Sequence, residues 1–323
     1  MSRVLVTGAA GVMGVRLVER LLAHGFEVRA LVLPRDRFRA RLEGLGCDIR
    51  EGDIGDATSL TGVCQGVDTV YHLAAVILSH DPNVFERVNR AGTAHLVTEA
   101  QRAGVRHFVY VSSASVVYPK RTPYAESKLQ AEALVKGAQG LDYTIVRPTL
   151  VYERGGGQEI QLFLEYLKRF PIVPFIGRGE AIKRPVWSED VVTGLARLAG
   201  NPVALGKTYN FSGPEPITML ELAHLLLETA DRSRAFVRLP VWLCVALAHL
   251  LRVLFERPPL TLSAVAGIVN DADLDPTSAM RDLGYAPIGV REGIRRCFSR
   301  QAPALPATVS DALGAPFQKR NAT

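Results

Sequence analysis

Tyr124 and Lys128 stand four residues apart in Pro123-Tyr124-Ala125-Glu126-Ser127-Lys128, and the continuation through Leu129, Glu132, Leu134 and Val135 reads as one helix. At that spacing two side chains share a helical face. A phenol with an ordinary pKa of about 10 is a poor base near neutrality, and a neighbouring ammonium favours its phenolate. Such a pair could pass a proton to or from an alcohol or ketone oxygen. Tyr-Lys pairs also arise by chance on amphipathic helices, so the meaning of this one depends on the elements that carry it.

A second group that could do chemistry is Thr7-Gly8-Ala9-Ala10-Gly11-Val12-Met13-Gly14. Glycines at this spacing allow a tight turn, close backbone approach to a pyrophosphate and close packing of helix on strand, with amide N–H groups facing the phosphates. Its position makes it meaningful. A strand from Val4 to Thr7 precedes it, Val15, Val18, Leu21 and Leu22 recur at helical spacing after it, and Gly25 is placed to stop the helix. Gly8, Ala10, Gly11, Val12, Met13 and Gly14 are therefore expected to hold a dinucleotide.

Apolar runs of strand length alternate with helical periodicity at Val4 to Thr7, Glu27 to Leu33, Val67 to Leu73, Phe108 to Ser112 and Tyr143 to Val146. This predicts an α/β chain, a doubly wound parallel sheet of the Rossmann type with helices on both faces and a smaller C-terminal lobe. From about Pro148 the pattern loosens, broken by Gly155-Gly156-Gly157, Pro171, Pro174, Gly177 and Gly179. The expected organisation is a dinucleotide domain over 1–150, a mainly substrate-binding lobe over 151–300 and a loosely structured tail over 301–323. Helical stretches near Asp190 to Ala199 and Leu220 to Ala230, with a short strand at Tyr209 to Phe211, predict that about 185–212 returns to the main sheet.

The spacing T-G-x-x-G-x-x-G, followed in order by the motifs below, resembles the extended short-chain dehydrogenase/reductases. This NAD-dependent epimerase/dehydratase-like group includes nucleotide-sugar epimerases, dihydroflavonol reductases and 3β-hydroxysteroid dehydrogenases. The resemblance implies an NAD(P)-dependent oxidoreductase and assigns roles along the chain. In Gly52-Asp53-Ile54, Asp53 would bond the adenine amine and Ile54 add a backbone contact; Leu73-Ala74-Ala75 would run beneath the cofactor. Asn89, in Asn89-Arg90-Ala91-Gly92-Thr93, would lie near the active site, and Pro148, after Arg147, would meet the nicotinamide carboxamide. Tyr124 would be the acid/base, and Lys128 would bond the nicotinamide ribose. The family places a catalytic hydroxyl after the fifth strand. Counting from the strand selects Ser113, with Ser112 beside the cofactor; counting back from Tyr118 selects Ala114, so Ser112 and Ser115 stay open as alternatives. Asp53 could instead be a plain turn residue, and His72 is expected to be a satisfied core histidine.

Selectivity for NAD normally places an acid at the end of the second strand, and selectivity for NADP an arginine. Here the chain reads Leu31-Val32-Leu33-Pro34-Arg35-Asp36-Arg37, with no acid at the usual place. NADP is favoured over NAD, with Arg35 or Arg37 reaching the 2′-phosphate.

With 48% hydrophobic and 22% charged residues the chain is unlike a disordered one. Its net charge of +6 is spread along the sequence, which reads as a solvated basic surface, so no nucleic-acid partner is expected. Cys47, Cys64, Cys244 and Cys297 lie far apart and suit neither a disulfide framework nor a metal clip; reduced thiols, a cytoplasmic location and no metal are expected. The most apolar stretch, Pro240 to Phe255, is too short for a bilayer span and is interrupted by His249 and Arg252. It is expected to be a buried helix of the small lobe; the functional alternatives are an apolar wall for a lipid-like substrate or a helix on a membrane surface.

Three activities compete. The first is a dehydrogenase or reductase acting on a secondary alcohol or ketone of a bulky, partly apolar small molecule, in a homodimer. The second is a nucleotide-sugar epimerase or dehydratase that keeps NAD tightly bound. The third is a non-catalytic nucleotide-binding subunit, against which the intact Tyr124 and Lys128 argue.

Overall fold

The computed structural model describes residues 2–79, 81–153, 158–255 and 258–298. Val4, Leu5 and Val6 are wholly buried. A strand apolar on both faces belongs at the centre of a sheet covered twice. The strands are β1 (Arg3–Thr7), β2 (Glu27–Val32), β3 (Asp48–Glu51), β4 (Thr69–His72), β5 (His107–Val111) and β6 (Asp142–Pro148), joined by a later strand, Lys207–Phe211. They form one seven-stranded sheet in the order β3, β2, β1, β4, β5, β6, Lys207–Phe211, with every neighbouring pair parallel. The predicted doubly wound parallel sheet is therefore the fold. The order reverses between β1 and β4, where the crevice at the carboxyl ends of the strands opens for a ligand.

Strand ends differ from the sequence reading by a residue or two. Leu33, expected inside β2, lies beyond it and is exposed. β3 was not foreseen because Ile49 is its one apolar residue, among Asp48, Arg50 and Glu51 at a sheet edge. Its pairing, not its pattern, makes it a strand.

α1 (Val12–Ala23) buries Leu17, Val18 and Leu21, and Gly25, at φ +84°, turns the chain into β2. α2 (Gly92–Arg102) and α3 (Pro123–Gly137) cover the opposite face through Leu96, Val97, Ala131 and Val135. The second lobe begins with α4 (Gln158–Arg169) and is built on a parallel pair of strands, Ile172–Ile176 and Ala235–Leu239. α5 (Ser188–Ala196) returns to pack on α1, and α6 (Met219–Thr229) completes the lobe's core with Leu222 and Leu226 against Leu164 and Phe175.

The apolar run at 240–255 becomes α7 (Val241–Leu254), but it is not the buried helix expected. Its buried residues are Cys244 and Ala248, one turn apart, while Trp242, Leu250 and Val253 are 71%, 55% and 66% exposed. Small side chains let the helix approach the lobe closely, and the bulky ones point outward. A sequence apolar on every side carries no period to say which side faces in. The tail expected over 301–323 lies outside the described residues.

Candidate dinucleotide and active site

The first elements of the site are backbone. Gly8 has φ +68°, and a Cβ there would stand 2.9 Å from the Ala74 amide nitrogen. Both the left-handed conformation and the approach to the segment after β4 require glycine. Gly11 N–H donates to Gly8 O at 3.1 Å, closing the turn, and a Cβ on Gly14 would lie 2.8 Å from Ala9 Cα. Gly11, the residue before α1, brings no side chain to cap the helix, and the first turn holds no acid. The amides of Val12, Met13 and Gly14 thus point from a helix start whose partial positive charge suits an anion. The cradle fits a dinucleotide pyrophosphate.

Around it the carboxyl ends of the strands supply the remaining sequence-predicted residues. After β3, Asp53 Oδ1 accepts from Gly55 N–H at 2.8 Å, so the exposed carboxylate shapes its own turn. Ile54 is buried beneath Gly92, where a Cβ would come within 3.0 Å of Ile54 Cγ1. After β2, Arg35 occupies the left-handed region at φ +59° on the surface. The Arg41 guanidinium, which the sequence reading passed over, lies 4.1 Å above the Phe38 ring and 3.4 Å from Ala10 O of the glycine turn. Arg37 lies 4.4 Å from the same ring.

A buried relay of hydrogen bonds holds the floor. His72 Nδ1 pairs with Thr7 Oγ1 at 2.7 Å and His72 Nε2 with Thr93 Oγ1 at 3.0 Å, while Thr93 donates to Asn89 O at 2.6 Å. Burial, helped by the Lys128 charge, pushes His72 down to about 3, so it stays neutral. This is the satisfied core histidine anticipated from the sequence. Leu73, Ala74 and Ala75 follow directly, and Ala74 N–H donates to Thr7 Oγ1 at 3.2 Å.

Asn89 sits in a wide π-helical turn, Phe85–Ala91, leading into α2. Its amide donates to Val76 O at 2.9 Å and Ser127 Oγ at 3.1 Å and accepts from Val76 N–H at 2.8 Å. Ser127 in turn donates to Tyr124 O at 2.7 Å. One buried amide therefore ties the segment beneath the expected cofactor to the Tyr124 helix. Neither the π turn nor Ser127 was legible, since a single extra residue per turn leaves no signal in the pattern.

α3 begins cleanly: Thr122 accepts from Ala125 N–H at 3.2 Å, and Pro123 takes the first position, where its missing N–H costs nothing. Tyr124, one residue on, packs its ring edge-on to Phe85 at 6.1 Å. Burial pushes its phenol above the ordinary value; the Ser113 hydroxyl opposes that rise, and the charge of Glu159 adds to it. Ser113 Oγ also lies 2.9 Å from Ser115 Oγ and accepts from Ser115 N–H at 3.2 Å. Ser113, just beyond the end of β5, thus lies within electrostatic reach of the Tyr124 phenol. Ser112 is buried with its hydroxyl unpartnered.

Lys128 is 2% exposed. Its ammonium donates to Val111 O at 2.7 Å and stands 4.2 Å above the Tyr110 ring. Burial brings it down to about 7, with the Glu132 charge pulling the other way. Burial governs both groups: it holds the Tyr124 phenol up and the Lys128 ammonium down. Glu132 continues the same face at the next spacing of four and receives Arg147 in two contacts of 2.8 and 2.6 Å, fastening α3 to β6 just before the buried Pro148. The repeat Tyr124, Lys128, Glu132 was a signal that could have found it. Lys183 was also missed: it is 2% exposed, donates to Asn270 O and lies 5.8 Å from the Tyr118 ring.

Comparisons with known proteins agree with this geometry. The NAD dependent epimerase/dehydratase family matches residues 4–212. The chain is similar to "3 beta-hydroxysteroid dehydrogenase/Delta 5-->4-isomerase" of Mycobacterium tuberculosis, 30% identical over 89% of this chain and 87% of that protein. It is also similar to "4-hydroxy-2-methyl-3-oxo-4-farnesyl-3,4-dihydroquinoline-1-oxide ketoreductase" of Stigmatella aurantiaca, 28% identical over 88% of this chain and 92% of the other. Among solved structures it resembles DesIV, a dTDP-glucose 4,6-dehydratase from Streptomyces venezuelae with NAD bound, at a TM-score of 0.72 and 26% identity over 92% of this chain and 95% of that one. A parallel sheet with a glycine cradle at its switch point, a Tyr-Lys helix beside it and a family match across both place the chain in the NAD dependent epimerase/dehydratase family, as an NAD(P)-dependent oxidoreductase of the extended short-chain dehydrogenase/reductase type.

Proposed function

We propose that this enzyme reduces a ketone, or oxidises the matching secondary alcohol, on a bulky and largely apolar small molecule, with NADP preferred over NAD. The observation that carries the reading is the Tyr124 helix itself, with Lys128 one turn on donating to Val111 O at the end of the strand that leads into Ser113. When bound, the dinucleotide supplies or receives the hydride. Tyr124, kept protonated by burial, is the group that gives a proton to a substrate carbonyl oxygen, and Ser113 donates a hydrogen bond to the same oxygen. Lys128 has the position to hold the nicotinamide ribose, Val12, Met13 and Gly14 the pyrophosphate, and Asp53 and Ile54 the adenine. Asn89 acts through others: it positions the Tyr124 helix against the segment after β4.

The NADP preference is supported by the absence of an acid at the end of β2 and by Arg35, Arg37 and Arg41 beyond it. The apolar substrate is supported by relatives whose names specify a steroid dehydrogenase and a farnesyl quinoline ketoreductase. The test offers NADPH and NADH with a panel of steroid ketones, prenylated ketones, UDP-sugars and dTDP-sugars. Turnover of apolar ketones that falls ~100-fold or more in Tyr124→Phe, with cofactor affinity kept, supports the proposal. Turnover of the sugar nucleotides alone, with cofactor retained through purification, replaces it with an epimerase or dehydratase.

A further inference from the structure

Glu132 is 1% exposed, yet it takes no part in the chemistry above. It stands one turn after Lys128 on the inner side of α3, at the same four-residue step that separates Lys128 from Tyr124. Side chains at that step are neighbours, with Cβ atoms ~5–6 Å apart. Arg147 of β6 takes both carboxylate oxygens, and the exposed Lys136 stands 4.0 Å away. Two bonds to one guanidinium fix where the carboxylate sits. An ion pair buried this deeply gains little net stability, because desolvation takes back most of the attraction. Ala131 and Val135 already anchor α3 in the core, so the use of the charge lies in what it does to its neighbours.

We infer that Glu132 is a positioning residue for the reaction: its buried carboxylate, held in place by Arg147, keeps the Lys128 ammonium charged where the nicotinamide ribose is to be bonded. Lys128 has Val111 O as its acceptor and the Tyr110 ring beside it, and neither carries a full negative charge. The titratable groups that face it from other elements are His72 of β4, which burial keeps neutral, and Tyr110 of β5, whose phenol burial holds well above its ordinary value. On α3 itself the Tyr124 phenol is likewise held up. These three carry no charge near neutrality, so Glu132 is what opposes the burial that brings Lys128 down to about 7. Removing its charge leaves less of the ammonium protonated at neutral pH. At an effective dielectric of ~20, a full charge at this spacing shifts the midpoint by about one pH unit or more once the counter-charge of Arg147 is set against it. The inference rests on the proposed reading that Lys128 holds the ribose.

The test follows the affinity of the enzyme for NAD and for NADP by fluorescence titration between about pH 5 and pH 9. A charged Lys128 bonds the ribose better, so affinity is expected to fall as pH rises through about 7. Both cofactors should show this break, whereas the 2′-phosphate of NADP, which titrates near ~6, would bend one curve alone. In Lys128→Met the break should vanish. Glu132→Gln keeps the shape and an acceptor for Arg147 but loses the charge; it should move the break down by about one unit, a loss of about tenfold in affinity at pH 8. Glu132→Asp keeps the charge and spoils the double contact, and should leave the break within about half a unit of its place. A purely structural role reverses that order, with Gln harmless and Asp weakening affinity at every pH alike. Far-UV circular dichroism checks the fold of each variant. If Glu132→Gln does not fold, Glu132→Met together with Arg147→Met replaces both partners by apolar side chains, an exchange that folds tolerate, and should also move the break down. A break that vanishes in Lys128→Met but stays in place in Glu132→Gln or in the double variant overturns the inference alone. One that is missing in wild type, or that survives Lys128→Met, overturns the ribose reading and the inference with it.

Discussion

Lys128 offers a test of the site that needs neither substrate nor cofactor. Its ordinary value is 10.5, and burial brings it down to about 7. Between those values the unfolded chain holds a proton that the folded chain has shed, so stability rises with pH through this window and is lost as pH falls towards 7. By linkage, the burial of Lys128 costs about 4 kcal/mol at pH 7 and about 2 kcal/mol at pH 9. Lys128→Met keeps the length of the side chain and removes the charge. It also loses the hydrogen bond to Val111 O, worth roughly 1 kcal/mol, but that loss is nearly the same at both pH values. Urea unfolding of both proteins at pH 7 and pH 9 gives the double difference. Lys183, brought down to about 8, and Cys64, pushed up to about 12, add slopes of their own, but they do so in both proteins and cancel. Wild type should gain about 2 kcal/mol more than Lys128→Met on going from pH 7 to pH 9. Equal slopes would mean that Lys128 stays charged in the fold, and the reading of a buried lysine poised to take up charge beside the ribose would fall.

Three further outcomes follow from the same geometry. Ser113→Ala should lower turnover by ~10- to 100-fold through the lost hydrogen bond to the substrate oxygen, while Ser112→Ala and Ser115→Ala change it little; steady-state kinetics decide, and a selective loss at Ser115 would move the catalytic hydroxyl there. Gly14→Ala places a methyl 2.8 Å from Ala9 Cα, so α1 must withdraw from the turn; cofactor affinity by fluorescence titration should drop at least tenfold and stability by ~1–3 kcal/mol. Arg41→Ala should weaken NADP by ~10- to 100-fold and leave NAD nearly unchanged, with a smaller effect from Arg35→Ala, an exposed residue of the turn after β2; a wild-type preference for NAD in the same titration would remove the 2′-phosphate contact altogether.

What could be read in advance was whatever a local pattern encodes. The strand, glycine turn and helix from Arg3 to Ala23 are adjacent in sequence, and each glycine answers a steric demand of its immediate neighbours. The Tyr124 helix announces its start with Thr122 and Pro123 and its inner face by spacings of four. Residues whose meaning depends on a partner far along the chain were hidden. Asn89 shows its purpose only when Val76 and Ser127 arrive on either side of its amide. Arg41 matters because the loop after β2 folds back onto Ala10, and β3 exists because β2 offers it an edge. The apolar run at 240–255 is the sharpest case. Its composition predicts a helix correctly but is silent on orientation, since apolar residues occur on every side of it. The decision falls to fit: Cys244 and Ala248 are small enough for close contact with the lobe, which leaves Trp242 and the leucines outside. A hydrophobic sequence is thus not by itself a core sequence. Where packing takes the small residues and leaves the large ones to solvent, the exposed side is the part of the chain whose energetics the isolated protein does not complete.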